Sequence, residues 1–292
     1  MRRVIYTCPF VPPEWVRAHG FEPSRITPGP IPPDAAAPGG VCPYAWSFLH
    51  SVVHYPGAAA ALFTTRCDQM RRVAETASRE GDMPVFLMNV PATQTAAARG
   101  LYVSELRRMG RFLESLGGTA PSGEMIAHAC RECRSETDVP AREDSGDKVR
   151  LALIGGPSAG DMRRLSDLCE RAGGTIVLDA TVTGELARQA PLDLEAVGAD
   201  FPEALAAAYF GAIPDAFRRP NDPFYDWLSS RLAERGVQGA VFRYWTWCDK
   251  WHAEAQRLKE WADVPVVVTT ATGEGIDGHA ASRIEALVEM LR

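Results

Sequence analysis

Short apolar runs alternate with amphipathic stretches along most of the chain. The runs RVIY near the start, AAALF at residues 59–63 and VPVVV at 264–268 are typical of buried strands. Residues 96–116 instead repeat apolar side chains every three or four positions, which predicts a long helix ending at Gly117-Gly118. Because strands that alternate with helices form parallel sheets, the pattern predicts an α/β protein with two open parallel-sheet domains covered on both faces.

The first half is predicted to begin with a strand at 3–7 and a helix that starts after Pro12 and Pro13. Residues 23–40 are rich in proline and show neither helical nor strand periodicity, so we expect a surface loop there. Further helices are predicted from Cys42 and from Asp68. In the second half the pattern predicts strands at 149–155, 174–180, 239–245 and 264–270, and helices at 161–172, 224–236, 249–262 and 282–291.

The two halves are separated by a polar, charged stretch. Residues 119–148 contain SGE, RECRSETDV and AREDSGDK, the weakest core-forming composition in the chain. Domain boundaries fall in such segments. The sequence therefore predicts an N-terminal domain at 1–118, a shortened linker segment at 119–148 and a C-terminal domain at 149–292.

Composition narrows the classes of function. The chain has 292 residues and 46% hydrophobic residues, enough for two domains with their own cores. A net charge of -6 without any basic block argues against nucleic-acid binding. The first apolar run is too short for a signal peptide and is followed by Pro9, Pro12 and Pro13, and no window is long enough to span a membrane. We expect a cytoplasmic protein.

The seven cysteines carry the main chemical signal. Cys42, Cys67 and Cys248 each open a predicted helix, and Cys8 follows the first predicted strand. In open parallel sheets ligands bind beyond the carboxyl ends of the strands, and the amides of a helix N-terminus favour an anionic metal cluster. These positions favour metal ligation, although cysteine is also among the most buried residue types.

The other cysteines are interpreted differently. Cys169 lies on the apolar face of its helix and is predicted to be core. Cys130 and Cys133 have CxxC spacing, which is compatible with zinc or redox chemistry, but no second pair completes a zinc site.

Further motifs are absent or weak. The chain lacks GxxxxGK[ST], GxSxG and HExxH, and Gly155-Gly156-Pro157 is a strand-to-helix turn rather than a dinucleotide fingerprint. His252 and Glu254 point to different faces of their predicted helix. His50 and His54 have the spacing of a metal pair, but packing is the commoner role of such residues.

Several stretches, taken in order, resemble the 2-hydroxyacyl-CoA dehydratase and benzoyl-CoA reductase family. They include VPPEWVRAHGFEPSRI, VCPYAWS, TTRCDQMRRVAE, LALIGGP and WCDKWHAEAQRLKEWADVPVV, and they run from near the first residue to the last. The resemblance implies two Rossmann-like domains with a [4Fe-4S] cluster between them. It also implies that Cys42, Cys67 and Cys248 are the cluster ligands, with one iron left open.

The resemblance implies a function as well. In the dehydratases an ATP-hydrolysing iron–sulfur activator supplies a low-potential electron, which reduces an acyl-CoA thioester to a ketyl radical anion that expels the 2-hydroxyl group. Benzoyl-CoA reductases use related machinery to reduce the ring. The implied partners are an acyl-CoA substrate, the activator, and a second subunit that is either a homologue or another copy of this chain. The implied enzyme is a lyase or an oxidoreductase within a multi-subunit complex.

Two departures leave alternatives open. The chain is short for the family, and the missing length falls near residues 118–148 on the substrate side. An iron–sulfur electron carrier or cluster-carrying partner without an acyl-CoA pocket is therefore the alternative. A double-cubane version would use more cysteines, but Val182–Gly184 lacks the one expected there, so a single cluster is preferred. A metal-free α/β protein is the third interpretation. If the chain is the cluster-bearing enzyme subunit, the aromatic residues around Cys248 are expected to exclude water from the cluster.

Overall fold

The computed structural model describes residues 1–29, 35, 37–137, 146–160, 162–192, 200–273 and 275–292. Within them the strands and α-helices, in chain order, are β1 (Arg3–Tyr6), α1 (Pro13–Ala18), β2 (Glu22–Arg25), α2 (Pro43–His54), β3 (Ala58–Thr64), α3 (Asp68–Glu80), β4 (Val85–Met88), α4 (Ala96–Ser115), α5 (Gly123–Thr137), β5 (Val149–Gly155), α6 (Met162–Ala172), β6 (Gly174–Thr181), α7 (Phe201–Leu205), α8 (Asp222–Glu234), β7 (Gly239–Trp245), α9 (Asp249–Trp261), β8 (Val266–Ala271) and α10 (Gly278–Leu291). A 3₁₀ turn at Glu185–Ala187 and a π-helix at Ala206–Gly211 complete the described elements.

The strands form two four-stranded parallel sheets, which confirms the predicted pair of open α/β sheets. Their orders are β2-β1-β3-β4 and β6-β5-β7-β8. Every strand pair in them is parallel. In both sheets the strand order reverses between the first and third strands, so the crevice where such folds bind ligands lies beyond β1 and β3 in one sheet and beyond β5 and β7 in the other.

The chain divides into two compact units, each built from three segments. The first unit contains Met1–Thr27, Phe48–Pro140 and Gln189–Ile213, with β1 to β4. The second contains Pro28–Ser47, Ala141–Arg188 and Pro214–Arg292, with β5 to β8. The division falls within α2, and residues Gln189–Ile213 group with the first unit although they follow β6 in the chain.

Burial explains why the second sheet has helices on both faces. Leu151 and Leu153 of β5 pack on one face with α6 and α10, whereas Ala152 and Ile154 pack on the other with α8 and α9. Successive residues of a strand point to opposite faces, so a continuous apolar run needs a cover on each side. Cys169 of α6 is completely buried in the first of these clusters. The prediction that Cys169 is a core residue is confirmed.

The predicted loop at 23–40 is wrong at its beginning, where β2 extends the first sheet. This strand pairs with β1, and Pro23 lies opposite Val4. A proline lacks the amide hydrogen of a ladder hydrogen bond, but an edge strand needs such bonds on one side only. The proline that argued against a strand is therefore compatible with this edge. Residues 30–34 and 36 of the predicted loop lie outside the described part of the chain.

The segment predicted as a linker contains α5. Its apolar face packs against α1 and includes Ala129, Cys130 and Cys133, which are all buried. The spacing of these side chains by three and four residues places them on one helix face. The charged residues between them hid this stripe in the average composition. Cys130 and Cys133, the CxxC pair, are therefore buried on one face of a helix. Residues 138–145 lie outside the described part of the chain.

Candidate metal centre

Three cysteines occupy the same local position, directly before the first residue of a helix. Cys42 precedes α2, Cys67 precedes α3 and Cys248 precedes α9. Each cysteine carbonyl accepts the first hydrogen bond of its helix, from the amides of Trp46 at 3.0 Å, Arg71 at 3.1 Å and His252 at 2.9 Å. The amides of the first helical turn have no partner inside the helix, so this position suits an anionic ligand. The prediction that these cysteines open helices is confirmed.

The thiols of Cys67 and Cys248 do not cap their helices. Neither side chain makes a capping hydrogen bond to the helix that it precedes. Serine, threonine, aspartate or asparagine at this position stabilises a helix by about 1 kcal/mol, which a thiol does not supply. These two thiols therefore contribute no capping bond to the stability of their helices.

The two units repeat this arrangement at equivalent strands. Cys67 and Asp68 follow β3, and Cys248 and Asp249 follow β7, each the third strand of its sheet. Both strands border the point where the strand order reverses. The aspartate that follows each cysteine lies in the first turn, where a carboxylate stabilises the positive end of the helix dipole. The repeat makes the two cysteines equivalent in topology as well as in local structure.

Cys42 belongs to the same unit as Cys248, although the sequence boundaries placed it in the N-terminal domain. The ring of Tyr44, two residues after Cys42, packs on the ring of Trp245, three residues before Cys248, with centroids 6.0 Å apart. Cys67 lies in the first unit. Cys42 is buried, whereas Cys67 and Cys248 are half-buried. Among the described residues no group of three His, Cys, Asp or Glu side chains is placed to hold a metal ion, so the ligand set stays a prediction.

Cys8 lies at the carboxyl end of β1 in the first unit, two residues after the last residue of that strand. Its thiol bonds the side chain of Thr64 and is close to Arg66 and Arg25. Burial raises the pKa of the Cys8 thiol, while the two guanidinium groups oppose that rise. The equivalent turn of the second unit carries Gly156. The first unit therefore has an extra thiol and two cations at the carboxyl edge of its sheet.

At the equivalent edge the second unit has a small, partly open cleft with room for about one water molecule. It is lined by residues that follow β5 and end β6 and β7: Gly156, Pro157, Ser158, Thr181, Arg243 and Tyr244 among them. The Thr183 hydroxyl accepts the amide of Ser158 at 3.0 Å and bonds Thr181 at 3.0 Å, which fixes the two loops. The cleft lies where the fold class binds ligands.

The aromatic residues around Cys248 do not form one wall. Trp251 is buried among the rings of Phe217, Phe224 and Phe242. Trp245 is also buried, and its Nε1 donates to the carbonyl of Pro157 at 2.6 Å. Trp247 is 53% exposed and has a positive φ of 63°, a conformation unusual for an aromatic residue. Only part of this aromatic group is therefore core.

The structure shows where the histidines considered in the sequence lie. His252 stacks on Tyr244 with centroids 5.3 Å apart, whereas Glu254 is buried on another face of α9, as predicted. His50 and His54 stack on each other at 4.1 Å. Sequence reasoning missed the role of Glu254, which accepts hydrogen bonds from Arg219, Asn221 and Tyr225 at 3.0, 3.0 and 2.7 Å. This group links the start of α8 to the middle of α9.

A buried carboxyl group in the first unit was also missed. Glu14 of α1 is 3% exposed, and its Oε2 accepts the hydroxyl of Tyr209 at 2.7 Å. Tyr209 lies in the π-helix, 195 residues away in the chain. Burial raises the pKa of the Glu14 carboxyl, and the bond from Tyr209 offsets part of this rise. No sequence pattern links two residues so far apart.

Replacing Glu14 with glutamine is expected to make the protein gain stability over wild type as the pH rises. Because the folded-state pKa is raised, the contribution of Glu14 is complete below its unfolded value of 4.5 and is lost as the pH rises through the folded value. Glutamine does not titrate and can still accept the Tyr209 hydroxyl. Urea unfolding of both proteins between pH 4.5 and 8 measures the difference in their free energies of unfolding. Glu75→Gln, on the exposed face of α3, is the control. A difference that does not change with pH would show that Glu14 titrates alike in both states.

The fold defines an α/β protein with two four-stranded parallel sheets, and each sheet has a cysteine directly before the helix that follows its third strand. A family model described as 2-hydroxyglutaryl-CoA dehydratase, D-component, matches residues 8–139 and 123–291. The two matches span almost the whole chain, and this chain belongs to the 2-hydroxyglutaryl-CoA dehydratase D-component family. The resemblance stated from the sequence is confirmed. No helix among the described residues is long and apolar enough to cross a membrane.

Comparisons beyond the family add no inference. A search of curated proteins finds no match to this chain. Among solved structures, the SBP FpvC from Pseudomonas aeruginosa in complex with Mn2+ is 11% identical, with 99% of this chain and 95% of that chain covered and a TM-score of 0.27. A Mn-bound periplasmic metal binding protein from Candidatus Liberibacter asiaticus is 9% identical, with 100% and 97% covered and a TM-score of 0.28. TM-scores this low carry no argument about fold or function.

Proposed function

We propose that this chain is the [4Fe-4S]-bearing component of a 2-hydroxyacyl-CoA dehydratase, with Cys42, Cys67 and Cys248 as the cluster ligands. The observation that carries the proposal is the shared position of these cysteines, each directly before a helix and each with its carbonyl in the first helical hydrogen bond. Membership of the D-component family supports the dehydratase class. The reaction is the loss of water from a 2-hydroxyacyl-CoA to give a 2-enoyl-CoA.

The residues present fit the proposed cofactor. Cysteine thiolates are the ligands that iron–sulfur clusters prefer. Three thiolates would leave one iron open to substrate or solvent, as in other catalytic metal sites. Each proposed ligand directly precedes the first turn of a helix, where the helix dipole stabilises negative charge. The thiols of Cys67 and Cys248 are not used in helix capping, so ligation would not cost either helix a bond.

The bound cluster would supply single electrons at low potential. The protein would supply a positively charged edge for the acyl-CoA, because Arg25 and Arg66 of the first unit approach the Cys8 thiol. The Cys8 thiol, whose pKa burial raises, would add a neutral group beside them. Trp245 and Trp251 would keep the Cys248 segment ordered and partly dry. The family supports a complex with further subunits, and an ATP-hydrolysing activator is the proposed electron donor.

Addition of an acyl-CoA to the reduced, cluster-loaded chain together with its activator and second subunit is expected to change the EPR spectrum of the cluster. The change follows because substrate would bind at an open iron or directly beside it. CoA without an acyl group is the control. A spectrum that no acyl-CoA alters would instead favour an electron carrier without a substrate pocket.

A further inference from the structure

At the carboxyl edge of the first sheet, the side chain of Asn89 is held in one orientation. The Thr65 hydroxyl oxygen accepts the amide of Val90 at 3.0 Å, and its hydrogen is donated to Asn89 Oδ1 at 2.9 Å. Because the amide oxygen faces Thr65, the NH2 group of Asn89 faces the other way. Asn89 is exposed, so two N–H donors are presented at this edge in a fixed direction.

The backbone of Asn89 is fixed as well. Its amide donates to Glu105 Oε2 at 2.7 Å. Glu105 is buried on α4, and Arg108 binds both of its carboxylate oxygens at 3.0 and 2.7 Å. Burying a carboxylate costs free energy unless it is paired in this way. The backbone and the side chain of an exposed residue are thus both fixed by hydrogen bonds, an arrangement typical of a residue positioned for a ligand.

The position of Asn89 links it to the proposed cluster ligand of the first unit. Thr65, which orients the Asn89 side chain, lies two residues before Cys67 in the turn between β3 and α3. Asn89 follows β4, the parallel neighbour of β3. Side chains that follow neighbouring parallel strands meet at the same sheet edge. The fixed donors and the Cys67 thiol therefore lie at the same edge of one sheet.

We propose that Asn89 donates a hydrogen bond to the thioester carbonyl oxygen of the bound acyl-CoA. The inference rests on the proposed function, because it takes the acyl-CoA to bind at this edge. A carbonyl oxygen accepts an N–H donor, and a donor fixed before binding stabilises negative charge on that oxygen without reorganisation. An uncharged amide does so without adding a competing base. Asn89 is thus assigned to carbonyl recognition and not to holding the cluster.

The test compares two ligands that differ only at the carbonyl. Glutaryl-CoA and S-(4-carboxybutyl)-CoA have the same length and charge, but the second has a methylene in place of the carbonyl. Anaerobic calorimetry of the cluster-loaded chain together with its second subunit should show that wild type prefers the thioester by about tenfold, the effect of one hydrogen bond. Asn89→Ala should lose this preference and keep the iron content and urea midpoint of wild type. Gln256→Ala, which removes another exposed amide on α9, is the control and should keep the preference.

Each alternative result contradicts either the assignment of Asn89 or the proposed function. If Asn89→Ala keeps the tenfold preference, or if wild type has none, Asn89 does not recognise the carbonyl, while the proposed function stands. If Asn89→Ala loses iron, Asn89 supports the cluster and the assignment to carbonyl recognition is overturned. If wild type binds neither CoA ligand, the acyl-CoA function fails and the Asn89 assignment fails with it. Asn89→Asp, which replaces the donors with acceptors of the same size, should lose the preference as Asn89→Ala does.

Discussion

Replacing Cys248 with alanine is expected to remove the iron–sulfur cluster completely. Cys248 is one of three proposed ligands, and a cluster held by two thiolates would have two irons without protein ligands. The alanine side chain should not disturb α9, because the Cys248 thiol makes no capping bond to the helix. Iron and acid-labile sulfide per chain, together with the visible spectrum of anaerobically purified protein, measure the loss. Alanine at Cys42 or Cys67 should give the same result.

Cys169→Ala is the matched control for this change. Cys169 is fully buried in the core between α6 and the second sheet, so its loss removes one sulfur atom from a packed interior. We expect a stability loss of about 1 kcal/mol and an unchanged iron content. A Cys248→Ala protein with a full cluster, or a Cys169→Ala protein without one, would contradict the ligand assignment.

Replacing Gly155 with alanine is expected to destabilise the second unit by at least about 3 kcal/mol. Gly155 ends β5 with a φ of +135°, a conformation that residues with a Cβ atom rarely adopt. A Cβ atom at this position would also overlap the backbone carbonyl of Arg243 in the paired strand β7. Backbone atoms in the centre of a sheet cannot move aside as a flexible side chain does. Urea unfolding followed by tryptophan fluorescence measures the effect, because Trp245 and Trp251 lie in the same unit.

Gly100→Ala is the control for this substitution. Gly100 lies inside α4, and a Cβ atom there meets no atom within 4 Å. Alanine in the interior of a helix is more favourable than glycine by about 0.5–1 kcal/mol, so this change should stabilise the protein slightly. Equal stability of the Gly155→Ala and wild-type proteins would show that the turn after β5 accommodates a side chain.

The sequence predicted most of the fold because buried strands and amphipathic helices leave a direct pattern. The second half illustrates this, since β7 (Gly239–Trp245) and α9 (Asp249–Trp261) were predicted almost to the residue. The pattern failed where two signals conflicted. Pro23 argued against a strand that is stable only because it is an edge, and the charges in α5 masked a stripe of buried side chains. The edge position of β2 made its proline acceptable, and the spacing of the buried side chains made α5 a helix despite its charged composition.

Of the candidate site, only the position of each cysteine relative to its helix was predictable from the sequence. The position of each cysteine before a helix follows from a short stretch of sequence, and all three were found in that way. Cys42 and Cys248 belong to one unit in which Tyr44 packs on Trp245, two residues separated by most of the chain. The bonds that fix Asn89 join strand ends to α4. Such contacts arise from the folded topology, and no motif within either segment encodes them.

The iron and acid-labile sulfide content of the wild-type chain, purified anaerobically from cells competent in cluster assembly, tests the central claim most directly. Three thiolates at three helix starts predict one four-iron cluster, and therefore about four irons and four sulfides per chain. The protein should be brown, with a broad absorption that fades on reduction. A colourless chain that contains neither iron nor sulfide would contradict the account.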